Sequence, residues 1–196
     1  MDRDVRGILR AVVPAVALAL APLAAARAQA PARSESHIMG FLLVPWGADT
    51  ASVMAAYGPP LMARATEDTG TVLIYKDAAL GKPILSLFYL DKTKGLVRGV
   101  SSIPYTPAGT DCESVVRKSK ESIIRIYPSL TPVEVRKQED PAAPFCAAAT
   151  AGKAEWSITW TDPASQNFIR IELQPLENRV EITYQSGSYQ PQSAAK

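Results

Sequence analysis

Four stretches in the second half of the chain alternate apolar and polar residues with a period of two. Val133 and Val135 alternate with Glu134 and Arg136, and Trp156, Ile158 and Trp160 with Ser157, Thr159 and Thr161. Ile169, Ile171 and Leu173 alternate with Arg170 and Glu172, and Val180, Ile182 and Tyr184 with Glu181 and Thr183. Successive side chains of a strand point to opposite sides, so this pattern specifies antiparallel strands with one buried and one wet face. Asp162-Pro163 and Leu176-Glu177-Asn178 supply the turns between them.

The first half adds three strand candidates, at residues 71–76, 84–90 and 96–103. Asp91-Lys92-Thr93-Lys94-Gly95 separates the last two as a hairpin turn. Residues 41–44 form an apolar arm, either an edge strand or a packing segment. Asp49 or Thr50 can cap a short helix that places Val53, Met54 and Tyr57 on one side; Gly58 ends it and Pro59-Pro60 forbid continuation. A second helix starts at the capping box Thr110/Glu113, carries Val115, Val116, Ser119, Ile123 and Ile126 along one stripe, and stops at Pro128.

The expected fold is therefore α+β: an antiparallel sheet of about seven strands with two helices on one face, in the order helix-βββ-helix-ββββ. Residues 41–185 form the single domain, 29–40 a linker and 186–196 a flexible polar tail. The domain divides into two halves, 41–108 and 109–185, but they share no motif that establishes a repeat.

Residues 1–28 are set apart from the fold. Arg3, Arg6 and Arg10 precede an apolar run at 11–26, and Ala26-Arg27-Ala28 fits a small-x-small cleavage site, which predicts a signal peptide cut after Ala28. The alternative is an uncleaved membrane anchor, but the run is short of the roughly 20 apolar residues that span a bilayer and contains Pro14 and Pro22. Only in that alternative does the membrane become a partner. Four arginines and two aspartates leave with this segment, so the formal charge falls from +2 to zero. A neutral chain has no global field for nucleic acid. The expected location is periplasmic or secreted.

Reactive constellations are missing from the sequence. His37 is the only histidine, lies in the linker, and has no second histidine to share a metal, so it reads as a solvated loop residue. Zinc sites need three or four ligands and a Ser-His-Asp or Cys-His mechanism needs an oriented imidazole, so neither a metal nor catalysis is expected. Phosphate-cradling glycine motifs are lacking and no cofactor is expected. The adjacent carboxylates Glu67-Asp68 and Glu139-Asp140 read as solvated loop charges. Cys112 and Cys146 are the only cysteines, and an exported protein with two will pair them; a reactive Cys112 thiol is the rival reading.

Trp46-Gly47, the short helix with Val53, Gly58-x-Pro60 and the strands to Ile103 together resemble small bacterial envelope proteins of the SmpA/OmlA type. The plan is also similar to the β-lactamase inhibitor protein fold. The lipid-attachment cysteine of the lipoprotein members is lacking here. The resemblance implies binding or assembling other proteins rather than catalysis.

Residues 84–90 are apolar on both faces: Leu85, Leu87 and Tyr89 point one way, Ile84, Ser86, Phe88 and Leu90 the other. Either the arm at 41–44 covers the second face, or that face meets a partner. Leu85, Leu87, Tyr89, Phe88, Trp46, Trp156 and Trp160 are the candidate partner or ligand surface, although tryptophans are core anchors by default. The expected function is a non-catalytic exported module that binds another envelope protein, as an accessory or assembly subunit. The alternatives are a carrier holding a small apolar ligand between sheet and helices, and an enzyme whose site gathers carboxylates distant in sequence.

Overall fold

A computed structural model describes residues 36–66, 70–106 and 111–189. The leader at 1–28, the Glu67-Asp68 pair and the Thr110 cap lie outside the described residues. Ten strands, three α-helices and one 3-10 turn follow in the order β1 (Gly40–Phe41), β2 (Val44–Pro45), α1 (Thr50–Tyr57), β3 (Met62–Ala65), β4 (Thr71–Ala79), β5 (Lys82–Asp91), β6 (Gly95–Pro104), α2 (Asp111–Ile126), β7 (Val133–Gln138), α3 (Phe145–Thr150), β8 (Ala154–Thr161), β9 (Phe168–Gln174), the 3-10 turn (Pro175–Glu177) and β10 (Arg179–Gln185). The fold is α+β, as the alternation requires, but among the described residues the sheet has eight strands rather than about seven and the helices number three rather than two.

The strand order is β3-β4-β5-β6-β10-β9-β8-β7, with every neighbouring pair antiparallel. Two four-strand meanders thus meet at their last strands, where Ile182 of β10 lies opposite Ser101 of β6. Local chemistry sets the turns. Asp49 Oδ1 accepts from Ser52 N at 2.7 Å to start α1, and Gly58, with φ +78°, ends it in a region that disfavours a side chain. Asp91 Oδ1 accepts from Thr93 N and Lys94 N, closing the β5–β6 hairpin as the sequence predicts.

Burial alternates along the strands, and the register carries that alternation across the sheet. Leu73, Phe88, Val180, Ile171, Ile158 and Trp160 all point to one face, and all are buried. Under α2 and α3 this face forms a large cluster with Val115, Val116, Ile123, Phe145, Trp156 and Ile169. Under α1 and the N-terminal arm it forms a second, with Phe41, Val53, Tyr75, Leu90 and Leu96. Fully burying an aliphatic or aromatic side chain of this size stabilises by roughly 1.5–3 kcal/mol, so these clusters dominate folding.

Three expectations are corrected here. The arm does not cover the second face of β5: the Phe41 ring packs 4.9 Å from that of Phe88, on the same side as the helices. The segment read as linker is packed from His37 onward, with Ile38 fully buried and its carbonyl accepting from Trp46 Nε1 and Asn167 Nδ2. The tail is held through Tyr189, because Ser186 N donates to Val97 O and Gly187 N to Asn167 Oδ1.

Candidate functional site: the uncovered sheet face

With helices and arm on one face, the cross-strand register defines what the other presents. One row runs Met62, Ile74, Leu87, Val100, Thr183, Arg170, Thr159, Val133 from edge to edge. The row beside it contains Arg64, Val72, Tyr89, Arg98 and Gln185; on the other side lie Lys76, Leu85, Ser102, Glu181 and Glu172. One face therefore has two characters. Over β8–β10 it is polar, and its charges are paired at home: Arg170 with Glu172 at 3.3 Å, Lys137 with Glu155 at 2.6 Å and Arg179 with Glu181 at 2.9 Å. Over β3–β6 it is apolar, with Met62 and Leu85 each about two-fifths exposed.

This apolar strip follows β5 from Leu85 to Tyr89, about 13 Å at the rise of an extended chain. It opens at the Leu85 end into a groove of about 330 Å³, walled by apolar Pro83, Ile84, Leu85 and Pro104, by Ser102 and Lys76, and by the ion-paired Glu177 and Arg179. Three cations stand around the strip. Arg64 Nε donates to Met62 Sδ at 2.9 Å, the Arg98 guanidinium lies 5.2 Å from the centre of the Tyr89 ring, and Lys76 is exposed. Among the described residues none of the three makes an ion pair, and the buried Arg98 Nε has no hydrogen-bond acceptor.

The candidate surface read from the sequence therefore divides. Leu85, Leu87 and Tyr89 lie together on the uncovered face. Phe88 and Trp160 are fully buried on the opposite face, Trp156 is buried beside Phe145, and Trp46 is partly buried against the arm. These four are core residues, and the interlayer pocket that was to collect them with Leu85, Leu87 and Tyr89 is excluded by the strand alternation. The surface residues missed were Met62 and Ile74, which only the register brings beside Leu87; Val100, the next residue of that row, is buried.

His37 also departs from its expected isolation. Its Nδ1 lies 3.3 Å from Oδ2 of the buried Asp162, 125 positions away. Burial raises the Asp162 carboxyl, but donation from Ser165 Oγ, Ala164 N and His37 outweighs it and leaves the group below its ordinary value. Serine, aspartate and histidine are thus together, but Ser165 and His37 both meet the aspartate and Ser165 donates to Asp162 at 2.7 Å rather than to the imidazole. A nucleophile needs its base within hydrogen-bond reach, so the arrangement works as a turn and a tether.

Cys112 at the start of α2 and Cys146 in α3 are disulfide-bonded, with Cα atoms 5.9 Å apart. The reactive-thiol reading is thereby overturned, and the bond fixes α3 against α2. No group of three or more metal-ligating side chains occurs among the described residues. No helix among them is long and apolar enough to cross a membrane. No family model matches the sequence, and neither a curated protein nor a solved structure matches it.

Proposed function

We propose that this chain is a non-catalytic, exported protein-binding module that docks another envelope protein on the uncovered face of β3–β6. The observation that carries the reading is the contrast within one sheet face, polar and internally ion-paired over β8–β10 but apolar over β3–β6. Solvent alone does not favour such a difference, whereas apolar patches rimmed by charge are a mark of protein contact surfaces. The disulfide fits an oxidising compartment, and the basic-then-apolar start of the chain fits export. The resemblance of the Trp46-to-Ile103 stretch to SmpA/OmlA-type proteins points to an accessory or assembly role.

A photo-crosslinking residue at position 87, compared with one at 159 on the polar half of the same face, tests this. An adduct of defined mass from 87 but not from 159, in intact cells, is the expected result. Equal or absent adducts at both positions count against docking. A carrier would have to use the groove beside Leu85 in place of a pocket between sheet and helices; a lipid retained in native mass spectrometry would favour it instead.

A further inference from the structure

We propose that the uncovered face of β3–β6 selects an extended protein segment carrying two carboxylates four residues apart with a large apolar residue between them. The inference rests on the docking reading above and adds the chemistry of the partner. Arg64 and Arg98 share the Tyr89 row but stand three strands apart, roughly 14 Å at sheet spacing. Lys76 stands in the Leu85 row, about 13 Å away along the strands. The three cations bracket Ile74, Leu85, Leu87 and Tyr89 rather than clustering, so the apolar strip has a positive charge near its edges.

Among the described residues the carboxylates of this sheet face lie in the other half, where Glu172, Glu155 and Glu181 are taken by Arg170, Lys137 and Arg179, and Glu177 at the groove is taken by Arg179 as well. Among the described residues the unmatched charge of the apolar half is therefore positive, and a complementary partner is acidic. In an extended segment residues i, i+2 and i+4 face the same side and i to i+4 covers about 13 Å, the separation of the Lys76 and Arg98 rows. A helix advances only about 6 Å over four residues and does not span it. A further apolar side chain at i−2 falls over the groove beside Leu85. Three separated cations around an apolar strip, on a chain with zero mature charge, suit a protein segment better than the repeated phosphates of nucleic acid or an anionic bilayer.

The test uses the mature chain with methyl-labelled leucines and the peptide acetyl-Trp-Ser-Glu-Ser-Leu-Ser-Glu-Ser-amide. Saturable shifts of the Leu85 and Leu87 methyls are expected, with no such shifts from the peptide bearing lysine at both glutamate positions. The double variant Lys76→Glu/Arg98→Glu should bind roughly tenfold or more weakly, with an unchanged circular dichroism spectrum and melting temperature. Should that pair fail to fold, Lys76→Glu alone serves, with the same sign. Equal shifts from both peptides, or none from the glutamate peptide at millimolar concentration, overturn the acidic specificity. So do methyl shifts that grow with protein concentration alone, which mean a second copy, or tighter binding to phosphatidylglycerol vesicles than to the peptide. None of these decides docking itself, which the cross-link from position 87 tests separately.

Discussion

Phe41 is seated directly on Gly99: a Cβ added at Gly99 would fall inside the Phe41 ring. The ring is fully buried and also meets Phe88 and Tyr184, with centroids at 4.9 and 5.4 Å. This pairing places the arm on the helix side of the sheet, so that among the described residues neither arm nor helix covers the other side. Phe41→Ala should destabilise by about 3–5 kcal/mol, and Gly99→Ala by about 1–3 kcal/mol through overpacking. Urea unfolding of both variants checks this. If Gly99→Ala were neutral, the arm would not be a fixed part of the core.

Asn167 ties the segments at Ile38 and Gly187 to the body. Its Nδ2 donates to Ile38 O at 2.6 Å and its Oδ1 accepts from Gly187 N at 2.8 Å, in a buried setting. Truncation to alanine strands Gly187 N, at roughly 1–3 kcal/mol for a buried unsatisfied partner, while Ile38 O keeps its bond from Trp46 Nε1. Amide exchange at Gly187 should accelerate, and proteolysis within residues 36–40 should precede global unfolding. Unchanged protection at Gly187 would show that the tail is held by other contacts.

The Cys112–Cys146 bond closes a span of 34 residues. Loop-closure entropy of that size corresponds to roughly 3–4 kcal/mol of stability. Replacing both cysteines by serine should lower the urea midpoint accordingly and loosen α3 first, since six residues cannot hold a helix alone. Intact mass of the native protein, two hydrogens below the reduced form, checks the bond itself.

How far the sequence discloses this molecule depends on whether a signal is local. Strands β8–β10 are legible because one face is wet and the alternation is unbroken. Strand β3 is not, because all four of its residues are exposed and only pairing with β4 makes it a strand. Helix α3 resembles a loop in sequence because it is short and is set by Cys146, Phe145 and the packing above Trp156; Pro144 before a run of alanines is its one local trace. The two-sided apolarity of β5 is visible in sequence, but which side is covered depends on Phe41 meeting Gly99 across 58 positions. The His37–Asp162 contact is equally non-local.

Stability should fall on the acid side. Donation from Lys82 Nζ at 2.7 Å and from Thr106 N at 2.8 Å holds the Asp111 carboxyl below its ordinary 3.8. Donation from Lys120, assisted by Trp156 Nε1, holds Glu134 below 4.5. Both groups bind protons less readily in the folded state than in the unfolded one. Their contribution is therefore complete above the unfolded values and is lost as pH falls through about 4.5 and 3.8 toward the lower folded values. Urea midpoints should be level from about pH 7 to 5 and drop below about pH 4. Lys120→Met should make the drop shallower; an identical slope would remove Glu134 from the account.

Leu85 and Phe88 lie three residues apart on β5 and face opposite sides of the sheet, so the same truncation should act on different properties. Phe88 is fully buried among Phe41, Tyr57 and Tyr75, and Phe88→Ala should cost about 3–5 kcal/mol. Leu85 is 42% exposed, and Leu85→Ala should change stability by no more than about 0.5 kcal/mol, as for an ordinary surface position. Cross-linking from position 87 should nevertheless weaken in Leu85→Ala and more so in Leu85→Asp, which places a carboxylate in the groove that Lys76 lines. A Leu85→Asp protein that folds normally and still forms the adduct at full yield would place the contact surface elsewhere. A large loss of stability in Leu85→Ala would instead mean that this side chain is there for the fold, with nothing left over for a partner.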